Sequence, residues 1–164
     1  MRETILKDIL RAALATAAAF LFYSLLGGLG PSTLFVLNAF SLIVVTFSVG
    51  KEEIFGAILG TVCGLVQDSF SLGVFGIAGL TKTLLGFWTG YVSRRIDVVP
   101  FLRNFAFFLV MSSLELILWV LLNALVLGGR VDVRNGLIVF QPLVTAFLGT
   151  LILTIVRRIQ ARRA

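Results

Sequence analysis

Asp68, Lys82 and Glu115 are the residues whose type and setting could do chemistry, because each stands inside a long apolar stretch. An ionised side chain facing lipid costs several kcal/mol, so each is expected to face a neighbouring helix, a water pocket or a partner. Such a group either pins helices together as a buried ion pair or handles a proton or substrate. Composition closes most other routes. Histidine is absent and Cys63 is the single cysteine. A Ser-His-Asp or Cys-His nucleophile therefore has no imidazole. Tetrahedral zinc lacks its customary ligands, and no internal disulfide can form. No catalytic, cofactor-binding or metal-binding residue is assigned.

The elements that must position these charges follow from hydropathy. Of 164 residues, 59% are apolar and 13% charged, and the mean hydropathy is +1.05. Soluble domains average about 45–50% apolar and 25% charged residues. A chain this short could not hide so much apolar surface from water. A window of about 20 apolar residues, the length needed to cross a bilayer, predicts six spans. They are residues 9–26, 34–49, 54–72, 74–93, 101–127 and 137–156. The expected fold is an all-α integral membrane protein, a compact six-helix transmembrane bundle forming one domain over 1–164. The first span is too long for the core of a secretory signal and is expected to be retained.

Basic residues set the expected orientation. Arg2, Lys7, Arg11, Lys51, Arg94, Arg95, Arg103, Arg157, Arg158, Arg162 and Arg163 fall on one side, and only Arg130 and Arg134 on the other. Both termini are thus expected in the cytoplasm. The net charge of +6 reads as a positive-inside and anionic-lipid feature, not a nucleic-acid site.

Small residues spaced by four mark helix faces that approach closely in lipid. Gly56, Gly60 and Gly64 make one row in the third span. Gly79 with Thr83, and Gly86 with Gly90, make rows in the fourth, so these two spans are expected to pack as a tight hairpin. Ala13 with Ala17, and Ala15 with Ala19, form rows in the first span. Each row either packs the bundle or docks a partner helix. Helix rise places Asp68 and Lys82 at similar heights, predicting a Lys82–Asp68 pair with Glu115 as an alternative or third member. Asn38, Gln67, Asn123 and Gln141 add interior hydrogen-bonding capacity. Pro142 suits a helix start.

The segment GTVCGLVQDSFSLGVFGIAGLTKTLLGFWTGY at positions 60–91 resembles the rod-shape-determining membrane protein MreD family. The likeness rests on Gly64-x-x-x-Asp68 followed by Leu72-Gly73. It extends to Pro31 before the second span, Pro142 opening the last, and Arg157 and Arg158 at a basic end. The resemblance implies a fold similar to the six-helix substrate-binding component of energy-coupling-factor vitamin transporters. It also implies a non-catalytic scaffold in the bacterial inner membrane, a component of the cell-elongation (rod) complex that influences cell shape and peptidoglycan synthesis. Its direct partner would be MreC, with MreB and the rod-system wall synthases in the same complex. The outer connection at 128–136 is too short for a catalytic domain, so recognition would use helix faces and the loop residues Arg130, Asp132 and Arg134.

Two other functions compete. A vitamin-transporter substrate-binding component would use alanines spaced by four on the first helix to dock its coupling subunit, as Ala13 and Ala17 could. Against this, residues 27–33 are too short for a ligand-capping loop, and Trp88 and Trp119 fall at opposite heights. An intramembrane enzyme like a lipoprotein signal peptidase needs two nearby carboxylates, but Asp68 has only Asp132 on its side and Glu115 lies deeper.

Overall fold

A computed structural model describes residues 2–26, 38–70, 74–96, 100–126 and 140–161, which form six helices and no strand. These are α1 (Arg2–Leu26), α2 (Ala39–Ser48), α3 (Glu53–Asp68), α4 (Ile77–Ser93), α5 (Phe101–Val126) and α6 (Gln141–Ala161). Phe101–Val126 and Gln141–Ile159 are long and apolar enough to cross a membrane, whereas Ile9–Leu21 and Ala39–Ser48 are shorter apolar runs. The all-helical expectation is met. Several boundaries move inward: α3 stops at Asp68 and α4 starts at Ile77, where spans to 72 and from 74 were expected. Pro31, Leu72, Gly73, the loop residues Arg130, Asp132 and Arg134, and the terminal Arg162 and Arg163 lie outside the described residues.

The shortest helix is the central one: α2 packs against each of the other five. Ile43, Val44, Val45 and Thr46 are β-branched and poor helix formers, so tertiary contacts must hold this segment helical. Burial does so on most sides, since Phe40, Val44, Val45, Ser41 and Ser48 are sealed from solvent. The start is fixed by Asn38, whose side-chain oxygen accepts the Ser41 amide at 3.2 Å, satisfying a donor the helix leaves open.

Helices α3 and α4 run antiparallel with their backbones in direct contact. A Cβ built on Gly56 would strike the Gly86 carbonyl, one on Gly60 the Lys82 carbonyl, and one on Gly64 the Ala78 carbonyl and Gly79 Cα. In return, a Cβ on Gly86 would strike the Gly56 carbonyl, and one on Gly90 the Glu53 backbone. No side chain larger than hydrogen fits at these crossings, so the rows read in both helices are one interface. Thr61 and Thr83 hydroxyls meet across it at 2.8 Å. Gly79 meets the Leu65 side chain, a looser contact.

The α5–α6 pair uses a different device. The Phe108 ring lies over Gly149, where a Cβ would collide with it, and Ser112 Oγ donates to the Pro142 carbonyl at 3.2 Å. Helix α1 packs chiefly on α2 and α3. Its buried face is Ala12, Thr16 and Ala19, with Thr16 Oγ1 3.4 Å from Cys63 Sγ. Ala13 and Ala17 are exposed. As a contact row within the bundle they are therefore replaced by the neighbouring face, because Thr16 can return its hydroxyl to the Ala12 carbonyl at 2.8 Å and still meet Cys63.

The α3–α4 crossing makes a sharp expectation. Gly60→Ala should force the helices apart and destabilise the protein by about 3 kcal/mol, as overpacking against immovable backbone does. Gly76→Ala, where φ is +101° but the space is open, should cost about 1–2 kcal/mol from backbone conformation alone. Unfolding of the two variants in mixed detergent micelles, followed by circular dichroism, measures both. A Gly60→Ala protein as stable as the parent would refute the contact.

Candidate functional site

Helix α4 begins without a capping side chain of its own. Its N-cap is Gly76, with φ of +101°, a left-handed conformation glycine adopts without a Cβ penalty. The first amides of a helix need acceptors. Asp68, at the end of α3, supplies them: Oδ2 accepts Gly76 N at 2.9 Å and Gly79 N at 3.0 Å, and Oδ1 accepts Ala78 N at 3.2 Å. The carboxylate also sits where the helix dipole favours negative charge. Asp68 thus acts from across the hairpin as the N-cap of α4.

Lys82 lies farther along α4, 1% exposed, and its Nζ meets Glu115 Oε1 of α5 at 2.5 Å. Glu115 is 4% exposed. The same oxygen accepts Ser41 Oγ at 2.6 Å and Asn38 Nδ2 at 3.4 Å, both from α2. One carboxylate oxygen therefore joins α2, α4 and α5. Charge-assisted hydrogen bonds of this kind are about twice as strong as neutral ones. Removing either charge would strand the other in a dry interior.

The expected Lys82–Asp68 pair is corrected: the lysine belongs to Glu115. The glycine register explains why. Lys82 stands level with Gly60, eight residues before Asp68 on α3, a separation of about 12 Å along the axis at the rise of an α-helix. Asp68 therefore lies beyond the first turn of α4, within reach of its free amides instead of its lysine. Helix rise alone gave similar heights because it assumed the two spans met at residue 73, whereas α4 begins at Ile77.

Other polar residues take local roles. Asn123 Nδ2 donates to the Trp119 carbonyl of its own helix at 2.8 Å, so it does not crosslink. Asn38 does crosslink, through Glu115. Ser41 and Gly149 were not singled out from sequence. Asn38-x-x-Ser41 is a recognisable cap signal that could have found the first, whereas Gly149 is isolated from any glycine row. A cleft of about 40 Å³ between α2 and α6 is lined by Asn38, Ala39, Leu42, Val144, Thr145 and Leu148. It has room for water, not for a larger ligand. Among the described residues, no three His, Cys, Asp or Glu side chains are grouped to hold a metal. At the opposite end of the α3–α4 hairpin, Arg94 pairs with Glu53.

The geometry is that of a structural lock: the ammonium is neutralised by one carboxylate, and the other carboxylate is occupied by backbone amides. No family model, curated protein or solved structure matches this chain.

A double-mutant cycle separates the two carboxylates. Lys82→Met alone should cost about 3–5 kcal/mol by leaving Glu115 charged and unpaired. Adding Glu115→Gln should recover most of that loss, whereas adding Asp68→Asn should add its own penalty of about 1–3 kcal/mol with little coupling. Thermal unfolding of the purified variants gives each corner, and recovery by Asp68→Asn instead would reinstate the Asp68 pairing.

Proposed function

We propose that this chain is a multi-pass bacterial inner-membrane protein, a six-helix bundle with both termini in the cytoplasm. In this reading it is a non-catalytic scaffold of the rod complex. It would bind MreC directly and sit in one assembly with MreB and the wall synthases. The distribution of polarity supports the membrane placement. Lys82, Glu115, Asp68, Asn38 and Asn104 are buried, while Leu10, Leu14, Ile58, Leu102, Ile117, Leu125 and Phe147 are exposed. Water would favour the reverse arrangement; lipid favours this one. The scaffold role is supported by the resemblance at 60–91 and by charges committed to holding helices.

The observation that carries the docking role is the free face of α1. Leu10, Leu14, Ala17, Leu21 and Ser24 are all exposed and alternate at spacings of four and three, with Ala13 beside them. That is the seam spacing of two helices packed side by side, and its small residues allow the close approach on which association in lipid depends. The row expected from sequence is thus available to a second helix.

The test is co-purification from membranes. Ala13→Leu together with Ala17→Leu should lower MreC recovered with the tagged chain by about tenfold, equivalent to about 1.4 kcal/mol of binding, while leaving the unfolding midpoint unchanged. Unchanged recovery would move the interface off α1. Failure of the parent chain to retain MreC, together with a stoichiometric vitamin in the purified protein, would replace scaffolding by transport.

A further inference from the structure

The end of α4 opposite Asp68 carries an aromatic ladder closed by an arginine. The Tyr91 ring lies nearly parallel to Phe87, at 8° with centroids 6.3 Å apart, and edge-on to Trp88 at 6.0 Å. The Arg95 guanidinium caps it, 4.3 Å from the Tyr91 centroid. Residues 87, 91 and 95 are spaced by four and so share one side of the helix and its terminal turn. Trp88 is 48% exposed; Ile96, next to Arg95 in the chain, and Phe101 and Leu102, which open α5, are exposed too. This is a side wall, apolar below and cationic at its rim.

Among the described residues, none supplies an acceptor to Trp88 Nε1, Tyr91 Oη or the Arg95 guanidinium. The neighbouring Arg94 is different, being paired with Glu53. Arg95 is held over a ring, and its fork of N–H groups is free for a planar or tetrahedral anion. Further basic residues lie on neighbouring helices. Arg103 opens α5, and Arg157 and Arg158 stand in the last turns of α6, at the same end of the bundle.

A ligand for this wall needs an anionic oxygen group at the level of Arg95 and an apolar body running down past Trp88. A soluble phosphate satisfies the first requirement only, and an acidic peptide has no reason to cover Ile96, Phe101 and Leu102. Tryptophan and tyrosine with apolar bodies and polar tips belong where hydrocarbon meets headgroups. We propose that Trp88, Tyr91 and Arg95 form a binding site for the phosphodiester of an anionic phospholipid in the leaflet at this end of α4. The proposal rests on the membrane reading above and adds to it a ligand class and the residues that select it.

The two tryptophans, Trp88 and Trp119, allow the proposal and the membrane reading to fail separately. The full chain is reconstituted into phosphatidylcholine vesicles containing one quarter phosphatidylglycerol, with bromine on the acyl chains of either lipid. In a Trp119→Phe protein, brominated phosphatidylglycerol should quench Trp88 as if enriched roughly fivefold near it, the effect of one basic side chain at an anionic surface. Arg95→Ala should abolish that preference. In a Trp88→Phe protein, quenching of Trp119 by brominated phosphatidylcholine reports insertion alone. Equal quenching of Trp88 by both lipids, or a preference surviving Arg95→Ala, overturns the site while a quenched Trp119 leaves the membrane reading standing. An unquenched Trp119 overturns both.

Discussion

Direct backbone contact between α3 and α4 is the constraint from which the rest of the arrangement follows. Because Gly56, Gly60 and Gly64 admit only carbonyls and Cα atoms opposite them, the two helices have essentially one register in which they can touch. That register puts Lys82 level with Gly60, and so fixes its height. It also carries Asp68 past the first turn of α4, where its carboxylate finds three backbone amides. A hairpin held by larger side chains could slide by a residue or two at modest cost. This one cannot, because any shift places a Cβ or a carbonyl where only hydrogen fits.

With the height of Lys82 fixed, the buried ion pair takes over the next level of organisation. A closed pair adds little net stability, since desolvation offsets attraction. Its value lies in what is excluded. Only arrangements that bring Glu115 to Lys82 avoid leaving a bare charge in the interior, so α5 has a defined rotation and height against α4. The same oxygen takes Ser41 and Asn38, which locates the start of α2. Helix α2 is short, rich in β-branched residues and in contact with every other helix, so its propensity could not place it. Electrostatics from α4 and α5 does so.

Much of this was legible in the sequence, and the losses have physical causes. The six helical segments follow from hydropathy, and the glycine rows announced the hairpin because a four-residue spacing puts them on one face whatever the tertiary fold. Glu115 was read as an alternative partner of Lys82, but the choice of Glu115 over Asp68 was not legible. Heights counted along a chain depend on where each helix begins, and the start of α4 is set by Gly76 and by the Asp68 carboxylate, whose capping roles a hydropathy window does not report. Of the two alanine rows on α1, Ala15 and Ala19 face the core while Ala13 and Ala17 face outward, a division that sequence left open. Ala12–Thr16 and Ala13–Ala17 differ little in apolar content, and what selects the former is the Thr16–Cys63 contact, a tertiary fact. Gly149 gave no signal alone, because its partner is the Phe108 ring on a different helix.

The division between tightly and loosely held parts bears on what the molecule can be for. An ammonium paired with a carboxylate, a serine and an asparagine bound to the same oxygen, and an aspartate accepting three backbone amides tie helices to one another. Such a centre keeps helices in place. The exposed seam on α1 has the opposite character: its side chains are apolar or small, they have no partner face among the described residues, and the helix itself leans chiefly on α2 and α3. In the scaffold proposed above, a helix whose outward face is regular and exposed is suited to being recognised. Close recognition there requires the body behind it to stay still, because small residues such as Ala17 gain their contact energy only when the backbones approach fully. The glycine-locked hairpin and the Glu115 junction supply that stillness through α3 and α2, the two elements against which α1 rests.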